Sequence, residues 1–282
     1  MSLNPASPSQ VKAWCLANGF HPNRTLGQNF LIDLNAREAI LDAAGIVPGE
    51  RILEIGPGLG ALTQGLLARG GMVTAVEKDS ILAERLPSAL GNPQNLSTIA
   101  ADALDLAKRG ELDGFPKMVS NLPYQSGTRI LLELTRRLDR SAPGGEDASS
   151  GTDALSTIVV MVQTEVAERL AAGPGSKTRG LAGVWTQLDY DVEMVRDVKA
   201  SCFWPVPQVG STVIRLVRHH RNDALPAALR DLLRRLVKRA FEHRRKQLGS
   251  IFKGIVQSTA RAEQLSNDDW IELAKGLIDE NA

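Results

Sequence analysis

The chain has 282 residues, 43% of them hydrophobic, and a formal net charge of +1 at pH 7. That length suits one full α/β domain with a smaller partner. With no apolar run of about 18 residues and no basic-then-apolar layout in MSLNPASPSQ, a soluble cytoplasmic protein is expected. Its two cysteines, Cys15 and Cys202, lie in unrelated contexts, so neither a disulfide framework nor a zinc site is expected.

The near-neutral total hides an asymmetry. Between Arg215 and Lys253, twelve lysines and arginines face only Asp223, Asp231 and Glu242, so that segment carries +9 and the remainder −8. Such segregation points to a polyanion met mainly at one end of the chain.

In chain order, Asn35 with Glu38 three residues on predicts a capping box opening a helix. Arg51–Ile55 reads as a buried strand, followed by GPGLG and a helix from Ala61 to Arg69 closed by Gly70 and Gly71. A strand from Met72 to Val76, a helix around Ile81–Leu90, a strand near Leu96–Ala101, the short strand into Ser120, a helix from about Thr128 to Leu138 and a strand at Thr157–Gln163 continue the alternation. This predicts a doubly wound, mostly parallel α/β sheet. The Gly/Ser-rich stretch Asp139–Ala154 reads as a surface insertion, and Ala171–Gly180 as a loop. Val184–Val198 and Thr212–Arg218 read as strands able to pair antiparallel. From Pro226 the pattern is helical, with Leu229, Leu232, Leu233, Leu236, Val237, Ala240 and Phe241 on one stripe and basic residues on the other face. A boundary near 220 divides an α/β domain (1–220) from a small C-terminal helical domain (221–282).

The chemistry concentrates at strand ends. GPGLG after a strand is a turn whose missing side chains let a ligand approach the backbone. Gly56-x-Gly58-x-x-Ala61 also satisfies the dinucleotide pattern, and Glu77 stands about 20 residues on, where it can grip ribose hydroxyls in either case. Gly60 and the preceding Glu54 favour a nucleoside without a pyrophosphate. Asp102 ends the next strand, on the ligand side of such a sheet, where it can accept from an adenine amino group.

Asn121-Leu122-Pro123-Tyr124 breaks the last of these strands, since Pro123 has no N–H and a fixed φ. An exocyclic amino group is a weak nucleophile because its lone pair is delocalised. Acceptors on its hydrogens favour the pyramidal nitrogen of the transition state. The Asn121 side-chain oxygen and the Leu122 carbonyl are the candidate acceptors, and Tyr124 offers a stacking face worth about 1–3 kcal/mol.

In order along the chain, LGQNFL (Leu26–Leu31), EIGPGLGALT, VEKD, ADAL, NLPY, VQTEVAERL, FWPVPQVGS (Phe203–Ser211) and the late RRK at Arg244–Lys246 resemble the ribosomal RNA adenine N6-dimethyltransferases, most of all the small-subunit type. The resemblance covers about nine tenths of the chain. It implies S-adenosylmethionine as cofactor and adenosine N6 in small-subunit rRNA as target: two adjacent adenosines in a 3′-terminal hairpin, each dimethylated. Asn29 and Leu31 would close over the cofactor, Gly56 and Gly58 would cradle it beside Glu54, Glu77 would take the ribose, and Asp102 with Ala103 the adenine. Asn121 would border both cofactor and target, and Phe203 would stack on the flipped base opposite Tyr124. Arg234, Arg235, Lys238, Arg244, Arg245 and Lys246 would meet rRNA. No metal is implied, and a monomer is expected. Gln125, Gln208, Gly210 and the KTRGLAG stretch depart from the family's pattern at the edge of the target pocket and in RNA-facing parts. A large-subunit methyltransferase of the resistance type and a non-catalytic RNA-binding factor are the alternatives; a nicotinamide dehydrogenase would leave NLPY unexplained.

Overall fold

The computed structural model describes residues 4–5, 7–23, 27–136 and 155–279. The expected insertion at Asp139–Ala154 and the end of the helix expected to reach Leu138 lie outside them. The elements are α1 (Pro8–Ala17), β1 (Phe30–Leu31), α2 (Leu34–Ala44), β2 (Arg51–Ile55), α3 (Ala61–Ala68), β3 (Met72–Glu77), α4 (Ser80–Ala89), β4 (Leu96–Ala100), α5 (Ala103–Arg109), β5 (Lys117–Asn121), α6 (Gly127–Thr135), β6 (Thr157–Gln163), α7 (Thr164–Ala171), α8 (Leu181–Gln187), β7 (Tyr190–Val198), β8 (Phe203–Trp204), β9 (Ser211–Arg218), α9 (Ala227–Glu242), α10 (Leu248–Ile251) and α11 (Asn267–Asp279).

Seven strands form one sheet in the order β4-β3-β2-β5-β6-β9-β7, while β1 and β8 make a separate two-stranded ribbon. The pairs β2/β3, β2/β5, β3/β4 and β5/β6 are parallel and β6/β9 is antiparallel. The chain therefore winds outward from β2 to β4, then returns to the other side of β2 with β5. The crevice at the carboxyl ends of β2 and β5 is the switch point where ligands of such sheets bind. Continuous burial explains the central strands: β2 reads exposed at Arg51 and then buried to Ile55, and β6 is buried from Ile158 to Val162. Lys117 is buried at the start of β5 because its Nζ donates to Gly45 O at 2.9 Å and to Glu50 Oε2 at 2.7 Å.

Two local expectations are corrected. Helix α2 is capped by Asp33, whose Oδ1 accepts from Ala36 N at 2.8 Å, rather than opened by a box at Asn35. Glu38 is occupied by Arg37 and Arg69, both at 2.8 Å. Residues 184–187 belong to helix α8, because Leu181, Val184, Trp185 and Leu188 recur at helical rather than alternating spacing; β7 begins only at Tyr190.

By internal contacts the chain forms two compact units, residues 1–134, 149–167 and 193–217 in one and 135–148, 168–192 and 218–282 in the other. Within the first, Ile40, Leu41, Ile52, Leu66, Val119, Val159 and Phe203 belong to one buried cluster. A second cluster gathers Val11, Cys15, Phe20, Phe30, Leu59 and Leu82. In the other unit, Leu229, Leu233, Leu236, Val237 and Ala240 of α9 pack with Val184, Leu248, Trp270 and Ala274. Arg179, in the stretch read from sequence as a loop, is 1% exposed and donates to Ala172 O at 2.7 Å, Gln187 Oε1 at 2.9 Å and Asn267 Oδ1 at 2.8 Å.

Two glycines in helices of this unit test its packing with opposite signs. A Cβ on Gly183 would lie 2.4 Å from Arg169 O, whereas one on Gly276 meets nothing within 4 Å. Gly183→Ala is expected to destabilise by about 1–3 kcal/mol through overpacking, and Gly276→Ala to stabilise by about 0.5–1 kcal/mol through helix propensity. Denaturant midpoints of the two variants check both.

Candidate active site

The switch-point crevice is a cavity of about 290 Å³. Four strand ends supply its walls: the glycine turn after β2, Glu77 and Lys78 after β3, Asp102 and Ala103 after β4, and Asn121–Ser126 after β5; Gly27–Leu31 closes it from the N-terminal segment. Asn29, Leu31, Glu54, Gly56, Gly58, Glu77, Asp102, Ala103, Asn121, Leu122, Pro123 and Tyr124 all line it. Phe203 does not.

The turn depends on its glycines. Gly56 and Gly58 have φ of 68° and 57°, in the left-handed region that other residues rarely adopt. A Cβ on Gly58 would sit 2.9 Å from Phe30 Cδ1. The Glu77 carboxylate ties this turn to the next one, accepting from Gly58 N through Oε2 at 3.1 Å and from Asp79 N through Oε1 at 2.9 Å. Burial raises its pKa, and these backbone donors oppose the rise. Asp79 in turn caps α4 through Ile81 N and accepts from Gln28 Nε2 at 2.9 Å.

Asp102 is more engaged than the sequence implies. Its Oδ1 caps α5 by accepting from Leu104 N at 2.8 Å, and its Oδ2 accepts from Lys78 Nζ at 2.9 Å. The hydrogen bond from Lys78 holds the Asp102 carboxyl below its ordinary value.

At the end of β5, Leu122 N still donates to Met161 O at 3.1 Å, while Pro123 O accepts from Gly127 N at 2.7 Å and opens α6. The break in the strand thus becomes the start of a helix. Asn121 Nδ2 donates to Asn29 O at 3.4 Å, which leaves its amide oxygen as the acceptor. The Tyr124 hydroxyl lies 2.7 Å from Ser211 Oγ, fixing the ring from β9.

Phe203 departs from its expected role. It is 1% exposed, pairs with Leu31 in the β1/β8 ribbon and belongs to the main core, so it presents no ring face to a base in this structure. An apolar ring two residues before the loop's first proline reads equally well as clamp or as core, and here burial prevails. Among the basic residues, Arg235, Lys238, Arg245 and Lys246 are exposed as expected of a polyanion-binding face. Arg234 is not: it is 7% exposed, with its guanidinium 5.5 Å from the Trp185 ring centroid. It follows Arg230 by one helical turn on the inward face, where Arg230 meets Asp189 at 2.9 Å. Arg244 is half-buried, donates to Lys177 O and lies 3.6 Å from Glu263.

Four participants had no claim from sequence reasoning. Gln28 and Phe30 lie inside the QNFL motif and Lys78 inside VEKD, so their neighbours gave the signal. Nothing in the sequence pairs Ser211 with a tyrosine 87 positions away.

A family model described as "Ribosomal RNA adenine dimethylase" matches residues 19–275. Proteins named "Ribosomal RNA small subunit methyltransferase A" are similar along nearly the whole chain. That of Leifsonia xyli subsp. xyli is 35% identical over 96% of this chain and 98% of its own, and that of Azorhizobium caulinodans 36% over 93% and 90%. Among solved structures, a dimethyladenosine transferase from Plasmodium falciparum superposes with a TM-score of 0.71 at 22% identity, covering 88% of this chain and 96% of that one. The 23S rRNA methyltransferase ErmE gives 0.64 at 24%, covering 89% and 100%. At such identities the structures establish the shared Rossmann-like fold, and the family rests on the sequence matches: the chain belongs to the ribosomal RNA adenine dimethylase family.

Proposed function

We propose that this methyltransferase uses S-adenosylmethionine to convert two adjacent adenosines of a 3′-terminal hairpin in small-subunit rRNA to N6,N6-dimethyladenosine, in the cytoplasm and as a monomer. Residues 1–220 carry the chemistry and 221–282 bind rRNA. The observation that carries the reading is the meeting of Asn121–Tyr124 with the glycine turn in one cavity. The shared name of the relatives at 35–36% identity supports the small subunit over the large.

The donor set suits this cofactor. Glu54 and Glu77 are buried carboxyls beside the turn, and among the described residues Glu54 Oε2 has no hydrogen-bond partner. A pyrophosphate would face carboxyl groups and no cationic side chain of the turn, whereas an ammonium group meets acceptors there. When bound, S-adenosylmethionine supplies an electrophilic methyl. Glu77, aimed by Gly58 N and Asp79 N, offers its remaining lone pairs to the ribose hydroxyls, and Asp102 offers one to the adenine amino group. Asn121 and the Leu122 carbonyl accept the target's N–H groups, and Tyr124, held by Ser211, stacks on the base after it leaves its helix. Arg235, Lys238, Arg245 and Lys246 carry the phosphate contacts; Arg234 and Arg244 shape the surface that presents them.

Transfer of labelled methyl to small subunits lacking dimethyladenosine, with large subunits in parallel, tests the reading. Label recovered as N6,N6-dimethyladenosine in small-subunit RNA is expected; label confined to the large subunit would overturn it. Asn121→Ala should lower kcat by about 100- to 1000-fold, the scale of losing one preorganised transition-state contact, while RNA affinity in filter binding stays near wild type. Neutralising Arg235, Lys238, Arg245 and Lys246 should flatten the salt dependence of RNA binding by about one unit of slope per lost phosphate contact; an unchanged slope would place the platform elsewhere.

Glu54 generates a pH prediction. Burial, with the nearby Glu77 charge adding to it, pushes its pKa from 4.5 up to about 8. The unfolded chain therefore ionises first, and wild type loses stability as pH rises from about 4.5 to about 8. Glu54→Gln lacks this loss, so its stability relative to wild type should grow across that window in denaturant titrations. Parallel curves would mean Glu54 is ionised in the folded protein.

A further inference from the structure

We infer that Trp204 is a positioning residue for the cofactor: its indole holds the Gln28–Leu31 segment against the glycine turn, although Trp204 belongs to the loop expected to meet the target. The inference rests on the proposal that the cavity takes S-adenosylmethionine.

Strand β1 is only two residues long, too short to keep its own place. It is held by β8, with Phe30 opposite Trp204 and Leu31 opposite Phe203, and by Ile32 N donating to Cys202 O at 2.9 Å. Phe30 is the hinge of this arrangement. Its ring edge occupies the space a side chain on Gly58 would need. Trp204 stacks on it at 6.4 Å and 27°, and Phe20 tilts against it at 6.2 Å. Asn29 and Leu31, on either side of Phe30, both line the cavity, and Asn29 O accepts from Asn121 Nδ2. Trp204 itself does not line the cavity, so it can act there only through Phe30. It is also only half-buried, unlike the wholly buried Phe203 beside it. Packed at the edge of the cluster that holds Phe20, Leu59 and Leu82, and stacked there on Phe30, the half-exposed indole fixes that ring's place. The result is a mechanical link: the segment that closes over the cofactor and the Phe203–Trp204 stretch of the loop expected to meet the target are the two strands of one ribbon.

Calorimetric titration of S-adenosylmethionine into wild type, Trp204→Leu and Trp204→Phe tests the inference, alongside methyl transfer to small subunits at varied cofactor. Trp204→Leu should weaken cofactor binding by about three- to tenfold, the factor one aromatic pair contributes. It should raise the cofactor KM by a similar factor and lower kcat less. Trp204→Phe, which keeps a ring on Phe30, should restore affinity. Should Trp204→Leu fail to fold, Trp204→Val, which also removes the ring at a strand position, carries the comparison, with reduced affinity supporting the inference and wild-type affinity opposing it. Wild-type affinity in Trp204→Leu, or equal weakening in Trp204→Phe, overturns it. A wild-type protein that binds no S-adenosylmethionine overturns instead the reading on which it rests.

Discussion

The Glu77 carboxylate is the tie on which the site depends. It is buried, which raises its pKa, and Gly58 N and Asp79 N oppose that rise by donating to its two oxygens. Hydrogen bonds to a charged acceptor contribute about 1.5–3 kcal/mol each, enough to keep a turn built of left-handed glycines in one conformation. The same carboxylate sets the start of α4 through Asp79, and Asp79 receives Gln28 from the N-terminal segment. One side chain at the end of β3 thus fixes the turn after β2, the helix that follows β3 and the segment that closes the cavity. Each of these is a backbone feature that no apolar packing specifies by itself.

The central α/β alternation was legible because β2, β3 and β5 are short apolar runs that end at a glycine, an acid and an Asn-Leu-Pro break, and the register of the parallel sheet puts those ends on one rim. The site residues at strand ends were legible for the same reason. What sequence reasoning missed was of two kinds, local detail at element boundaries and burial imposed by distant parts of the chain. Asp33 rather than Asn35 caps α2 because a cap is decided by φ and ψ, and both residues are competent acceptors. The helix at 181–187 hid beside a strand because its apolar residues run directly into those of β7. The resemblance implies a stacking role for Phe203, and the basic charge pattern an outward, phosphate-facing place for Arg234. The fold turns both inward.

The basic segment accordingly does two kinds of work. Arg230 and Arg234 are buried in the helical unit, where they are held by the Asn222 carbonyl, by Asp189 and by the Trp185 ring. A planar guanidinium with five donors suits such places, since it satisfies several acceptors while being only weakly hydrated. The excess charge available to a polyanion is therefore smaller than the count of basic residues implies. It resides in the arginines and lysines of α9 and the segment after it whose side chains stay in solvent.

The two acceptors at the end of β5 also bear on how the reaction stops. On the proposed reading an unmodified adenine brings two N–H groups to Asn121 and the Leu122 carbonyl, a monomethylated one brings a single N–H, and a dimethylated one brings none. A buried acceptor left without a donor costs about 1–3 kcal/mol, so the grip on the target loosens with every methyl added. On that reading the atoms that recruit the base are also the ones that release it when it is finished. A site with a fixed number of acceptors in this way counts the methyl groups, with no separate device for recognising the product.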